Sequence, residues 1–213
     1  MTDRLLVLQY YNFLSSFLVS DGEDDDNNFK FPWEKNVRLP RTVLPLHYDL
    51  YLHPDLETGL FSGKVSIEVD NQMSTDHFLV HTKYLDILCW KVRKNGLEQP
   101  ITEAFEYKPN EYFVIKMANS VSAGKYVIDL EFKGNLTRGI VGFYKSEYTN
   151  KGGVKIPIAT SKFQPTYARR AFPCFDEPSF KSTFTVTLIR PSEKYIALSN
   201  MPVGMNHACL KSI

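Results

Sequence analysis

The chain has 213 residues, 43% hydrophobic and 14% aromatic, with 25 basic and 24 acidic side chains for a formal charge of +1. That length suits one sizeable all-β domain or at most two small ones, and the apolar content suffices for a core, so only local segments qualify for disorder. With no basic stripe interleaved among aromatics, nucleic acid is excluded as an expected partner.

Residues 5–19 form an apolar run interrupted by Gln9, Asn12, Ser15 and Ser16. The run is short for a membrane-spanning helix, which needs about 20 residues. It has signal-peptide length, with Arg4 the only cation ahead of it, partly offset by Asp3. One reading is a signal peptide or the remnant of a membrane anchor; the other is an incidental apolar tail or a mis-assigned start. Residues 21–28 (DGEDDDNN) carry five carboxylates in eight positions. Such runs repel themselves and stay solvated, and the ligand spacing of a calcium loop is missing. Residues 1–28 therefore read as an apolar run plus a flexible acidic tail, and the folded domain is expected over 29–203.

From residue 39 onward strand patterns are regular. In 46–53, Leu46, Tyr48, Leu50 and Leu52 share one face, with His47, Asp49, Tyr51 and His53 on the other; 61–69 alternates likewise. Further strands are predicted at 77–82, 85–92, 112–117, 125–132, 154–159, 183–189 and 195–198, punctuated by turn residues such as Asn95-Gly96 and Ala123-Gly124. Short alternating strands at this spacing predict an all-β domain of antiparallel sheets, each with one face buried.

The five histidines suggest a metal only superficially. His77 and His81 could share a strand face, but no third ligand follows at a metal-binding spacing, so surface or cross-strand histidines are expected. Cys89, Cys174 and Cys209 share no ligand spacing and read as buried or idle thiols. H-E-x-x-H, G-x-S-x-G and Gly-rich phosphate loops are absent from the sequence. Asn135-Leu136-Thr137 is an N-glycosylation sequon in a Gly-containing loop, which with the apolar run points to the secretory pathway: endoplasmic-reticulum lumen, plasma membrane or extracellular space.

Residues 162–178 (KFQPTYARRAFPCFDEP) break the alternation. A long irregular stretch inside a compact domain is more often functional than idle. Pro165, Pro173 and Pro178 restrict the residues before them to extended backbone. The elementary reading is a proline-braced turn held by an Arg169–Asp176 ion pair. A catalytic carboxylate pair is the sharper alternative, but neighbours such as Asp176 and Glu177 are poorly placed to flank one substrate bond.

F-P-C-F-D-E-P at 172–178, K-S-T-F-T-V-T-L-I-R-P at 181–191 and A-L-S-N-M-P at 197–202 resemble zinc aminopeptidases of the aminopeptidase N type. F-P-W…R-L-P at 31–40, P-L-H-Y-D-L at 45–50 and G-F-Y-K-S-E-Y at 142–148 match as well, in the same order. The pattern is most similar to the oxytocinase branch, with its endoplasmic-reticulum and insulin-regulated aminopeptidases. The resemblance implies a saddle-like N-terminal β domain docked against a thermolysin-like catalytic domain. In the family the H-E-x-x-H zinc site, a third glutamate ligand and G-x-M-E-N lie downstream in that missing catalytic domain. The chain is thus expected to bind no zinc and to be inactive alone.

A loop before F-P-C-F-D-E-P holds the free α-amino group of the peptide substrate in the family, and the matching residue is Gln164, whose amide oxygen can accept from an ammonium. Lys162 stands where relatives often carry a glutamine bordering the pocket for the first side chain. Its cation either disfavours basic first residues or snorkels out of the pocket. Arg169, Asp176, Glu177, Pro173 and Pro178 are assigned structural roles. Residues 204–213 depart from the pattern and read as an atypical, truncated tail. The expected function is a substrate-anchoring scaffold domain of a zinc metallo-aminopeptidase, with membrane association through an N-terminal anchor. The alternative is a non-catalytic module that docks on a peptidase or another secreted protein.

Overall fold

The computed structural model describes residues 4–8 (backbone only), 31–190 and 195–202. In chain order the strands are β1 (Arg4–Leu8), β2 (Val43–Asp55), β3 (Leu60–Asn71), β4 (Thr75–His81), β5 (Asp86–Lys94), β6 (Leu97–Glu98) and β7 (Ile101–Tyr107). They continue with β8 (Tyr112–Val121), β9 (Gly124–Asn135), β10 (Gly142–Thr149), β11 (Lys155–Lys162), β12 (Thr183–Leu188) and β13 (Tyr195–Ser199). Helical structure among the described residues is limited to single 3-10 turns such as Pro32–Lys35 and Ala168–Arg170. The domain is all-β.

The strands form a six-stranded sheet ordered β12-β2-β3-β9-β5-β6, a three-stranded sheet β4-β8-β7 and a four-stranded sheet β10-β11-β1-β13. Pairing is mostly antiparallel, but β12 runs parallel to β2, and β1 runs parallel to both β11 and β13. The start of the apolar run is thus a strand. The rest of that run, the acidic segment 21–28, Cys209 and the tail beyond Pro202 lie outside the described residues.

Period-two burial explains the central strands. Tyr48, Leu50 and Leu52 of β2, Phe61, Val65 and Ile67 of β3, and Ile128, Leu130 and Phe132 of β9 all point into one core. Gly63 sits among them because a Cβ there would run into the Phe132 ring and lie 2.8 Å from the Tyr51 carbonyl oxygen. The three-stranded sheet packs on this layer, with Phe78 of β4 5.4 Å from Tyr126 and Trp90 of β5 5.8 Å from Phe113 of β8. Phe143 of β10 closes the other end against Phe61 at 5.3 Å. β8 is covered on both faces, so Tyr112 to Ile115 are buried without alternation.

Two features differ from the sequence reading. β7 and β10 were not predicted: β7 is an edge strand with charged, exposed side chains, and β10 buries only Gly142 and Phe143. His81 is not a surface histidine but a cross-strand one, opposite Tyr112 and Cys174. It is 1% exposed, because β4 ends beneath the irregular segment and pairs with Cys174.

Candidate functional site

β11 ends at Lys162, paired with Gly142 of β10, and the chain leaves the sheet there. The Tyr167 N–H donates to the Phe163 carbonyl at 2.8 Å and closes a turn. Gln164 and Pro165, joined by a cis peptide, lie on the exposed side of that turn, and Lys162 is exposed beside it. After the 3-10 turn at Ala168–Arg170 the chain dives inward, and Ala171 through Phe175 are all buried, Pro173 included. Pro178 is back at the surface.

The buried part is held from three sides. Phe172 is fully buried and meets Tyr48, Phe163 and Phe184 edge-on at 6.2, 5.9 and 6.4 Å. His81 and Cys174 exchange backbone hydrogen bonds of 2.8 and 3.1 Å, which adds a two-residue ladder to the end of β4. The Phe175 N–H donates to the Tyr48 hydroxyl at 3.0 Å in the interior. Replacing Tyr48 by phenylalanine leaves that N–H without a partner, so urea unfolding should show a loss of about 1–3 kcal/mol. An unchanged midpoint would mean that water replaces the hydroxyl.

The charged residues form one chain. Arg169, 8% exposed, donates from Nε to Asp176 Oδ2 at 2.9 Å, from Nη1 to Glu111 Oε2 at 3.0 Å and from Nη2 to the Asp176 carbonyl at 3.2 Å. Glu111 takes a second cation, Lys83, so two positive and two negative charges balance. Burial pushes the Glu111 carboxyl up, but the hydrogen bonds from Lys83 and Arg169 outweigh it and hold the group below its ordinary value. At Asp176 burial dominates and raises the carboxyl, with Arg169 pulling against it. Burial likewise lifts Glu177 and the Cys174 thiol. Glu177 faces away from this network and accepts the Leu39 N–H at 2.6 Å. Asp176 and Glu177 therefore brace two different segments and do not flank one bond.

Gln164 and Lys162 stand two residues apart on the exposed lip of the anchored segment. A groove of about 500 Å³ lies elsewhere, between β5, β6 and β7, lined by residues including Trp90, Glu98 and Ile101. Asn135 ends β9; its Oδ1 accepts from the Thr137 N–H and hydroxyl, both at 2.7 Å. Its amide nitrogen makes no hydrogen bond among the described residues. Among those same residues no group of three or more His, Cys, Asp or Glu is placed to hold a metal ion, and no helix is long and apolar enough to cross a membrane. Sequence reasoning missed Glu111, Lys83 and His81, because they come from strands and turns far from residue 169 in the chain. In the sequence, only the unbroken apolar run Phe78-Leu79-Val80 ahead of it hints that His81 is buried.

The family model for the peptidase M1 N-terminal domain matches residues 44–211. The chain belongs to the peptidase M1 family. The M1 domain here is 42% identical over 176 residues to glutamyl aminopeptidase of Homo sapiens, covering 80% of this chain and 18% of that protein. It is 39% identical over 188 residues to glutamyl aminopeptidase of Sus scrofa, covering 85% of this chain and 19% of that one. Endoplasmic reticulum aminopeptidase 1 of Rattus norvegicus is 36% identical over 182 residues, covering 83% and 19% respectively. The presence of an endoplasmic-reticulum aminopeptidase accords with the oxytocinase-branch resemblance. The chain spans about a fifth of the length of these relatives.

Proposed function

We propose that this M1 domain is the scaffold and amino-end anchor of a zinc metallo-aminopeptidase that removes residues from the N-termini of peptides. The observation that carries the reading is the exposed Gln164 on a closed turn, immediately before a segment pinned by Phe172, His81 and Arg169. A rigid base with an exposed amide oxygen is the arrangement that fixing an ammonium group requires. Lys162 borders the first side chain and disfavours basic residues there through like charge. Zinc, held by residues outside this domain, would supply the Lewis acid for peptide hydrolysis in the full enzyme. The described residues do not fit a zinc site, and no step of that chemistry falls to them.

Residence in the secretory pathway and glycosylation at Asn135 belong to the same proposal, supported by the sequon and by a relative whose name places it in the endoplasmic reticulum. The binding-module alternative draws on exposed apolar side chains such as Leu88 and Leu97, which scattered singly need no explanation.

The test joins this domain to the catalytic region of a glutamyl aminopeptidase and replaces Gln164 by alanine. A hydrogen bond to a charged group contributes about 1.5–3 kcal/mol, so kcat/KM should fall roughly 10- to 100-fold with zinc content unchanged. Unaltered kinetics would refute the anchor role.

A further inference from the structure

Beside the anchored segment lies a group of side chains that the fold does not use. Tyr84 has φ of 60°, a left-handed backbone uncommon for a bulky residue, and the residue is 49% exposed. Strain of this kind persists where the surroundings over-determine it and clusters at functional positions. Here the surroundings are two backbone ties, from the Thr82 N–H to the Glu111 carbonyl and from the Lys83 N–H to the Arg169 carbonyl, both 2.8 Å.

Two guanidiniums converge on that ring. The Arg138 Cζ lies 4.9 Å from its centroid and the Arg170 Cζ 5.1 Å; Arg170 also stacks on Tyr167, 4.7 Å away. The chain is built tightly around Arg170: Gly142, at φ of 77°, begins β10 where a Cβ would come within 2.7 Å of the arginine Cβ. The Arg170 Nε is buried with no hydrogen-bond partner. Among the described residues neither Arg138 nor Arg170 pairs with a carboxylate, whereas neighbouring Arg169 and Lys83 are both neutralised. Two uncompensated cations held against one aromatic ring are pre-organised for anions. Arginine's planar fork matches carboxylates in particular.

We propose that Tyr84, Arg138, Tyr167 and Arg170 form a recognition site for the carboxylates of an acidic peptide segment. The two guanidiniums are within about 10 Å of each other, and alternate side chains of an extended peptide repeat every ~6.6 Å, so glutamates two apart reach both arginines. The tyrosine rings provide the apolar floor under the ligand's methylene groups. The site does not rest on the anchor role of Gln164, although Tyr167 closes the turn that carries Gln164.

The test uses the 213-residue chain, nitrogen-15 labelled, titrated with N-acetyl-tetraglutamate amide and followed through the arginine Nε–H resonances, with calorimetry in parallel. The Arg138 and Arg170 resonances should move while those of the paired Arg93 and Arg169 stay, and tetraglutamine should move none. Arg138→Gln and Arg170→Gln should each weaken binding about twofold to fivefold, the scale of a partly exposed charge pair, and added salt should weaken it further. Lys151→Gln, on a different exposed turn, should leave the affinity unchanged. The proposal is overturned if tetraglutamate does not bind, if Lys151→Gln weakens binding as much as the arginine variants, or if inorganic phosphate alone produces the same shifts.

Discussion

Arg169→Met should destabilise the domain by about 3–5 kcal/mol, the range found when one member of a buried ion network is removed. The expectation follows from what stays behind. Asp176 and Glu111 would each lose a charge-assisted donor, at 2.9 and 3.0 Å, and the Asp176 carbonyl would lose a third bond at 3.2 Å. Glu111 keeps Lys83, so its cost is tempered; Asp176 keeps only the backbone N–H of residue 169, at 3.3 Å, and must take up a proton or stay charged in the interior. In a chain of this size that loss corresponds to a fall in Tm of roughly 6–20 °C. The partner variant Asp176→Asn should cost less, since the amide oxygen can still accept from Arg169. The double variant should cost less than the sum, because the orphaned charge is removed along with its partner. If Arg169→Met shifts the urea midpoint by no more than a surface substitution does, the network is exposed in solution.

The sequence conveys the sheets better than their assembly. β2, β3 and β9 are legible because each has one buried and one solvated face, so Tyr48-x-Leu50-x-Leu52 and Val65-x-Ile67-x-Val69 alternate cleanly. β8 is covered on both sides and β7 lies at an edge, so neither gives a period-two pattern throughout. The parallel pairing of β12 with β2 joins residues such as Phe184 and Tyr48, whose stacked rings are 4.5 Å apart; nothing local in either strand names the other. The same division runs through the site. Arg169 and Asp176 are seven residues apart across a proline-rich turn, so their pairing lies within reach of local reasoning. Glu111 joins them from 58 residues away, out of a Lys-Pro-Asn turn that ends in a left-handed glutamate. The functional weight of Gln164 has no physical signature in the sequence; it rests on the resemblance. The arginines around Tyr84 are invisible for another reason: which cations lack a carboxylate is a property of the folded surface alone.

Acid should loosen this domain through His81. Its Nδ1 accepts the Asp176 N–H at 3.2 Å, which places the ring proton on Nε2, a buried atom without a hydrogen-bond partner. Burial first, then the positive charge of Arg169, depress its pKa from 6.5 to about 3, opposed only by the Val37 backbone. The Tyr112 ring, 5.2 Å away, covers it without offering a charge. Between pH 6.5 and 3 the unfolded histidine is protonated and the folded one is not, so the unfolded state binds more protons and stability falls as pH falls. At about 1.4 kcal/mol per unit, the domain should lose roughly 2–3 kcal/mol by pH 4.5. The raised carboxyls work in the opposite sense. Asp176 and Glu177 contribute stability that is fully present below their ordinary values of 3.8 and 4.5 and lost as pH rises through their raised folded ones, so on acidification they return part of the loss above those ordinary values. Glu111, held low by its cations, acts with His81, but only below 4.5. His81→Asn isolates the histidine, because the asparagine oxygen can accept the Asp176 N–H without titrating. The variant should be less stable at neutral pH, having lost the ring contact with Tyr112, yet lose less than half as much as the wild type between pH 7 and 4.5 in paired urea titrations. Equal losses in the two proteins would show that His81 is hydrated and titrates normally. A shallower acid limb in the variant would show that His81 carries the acid loss.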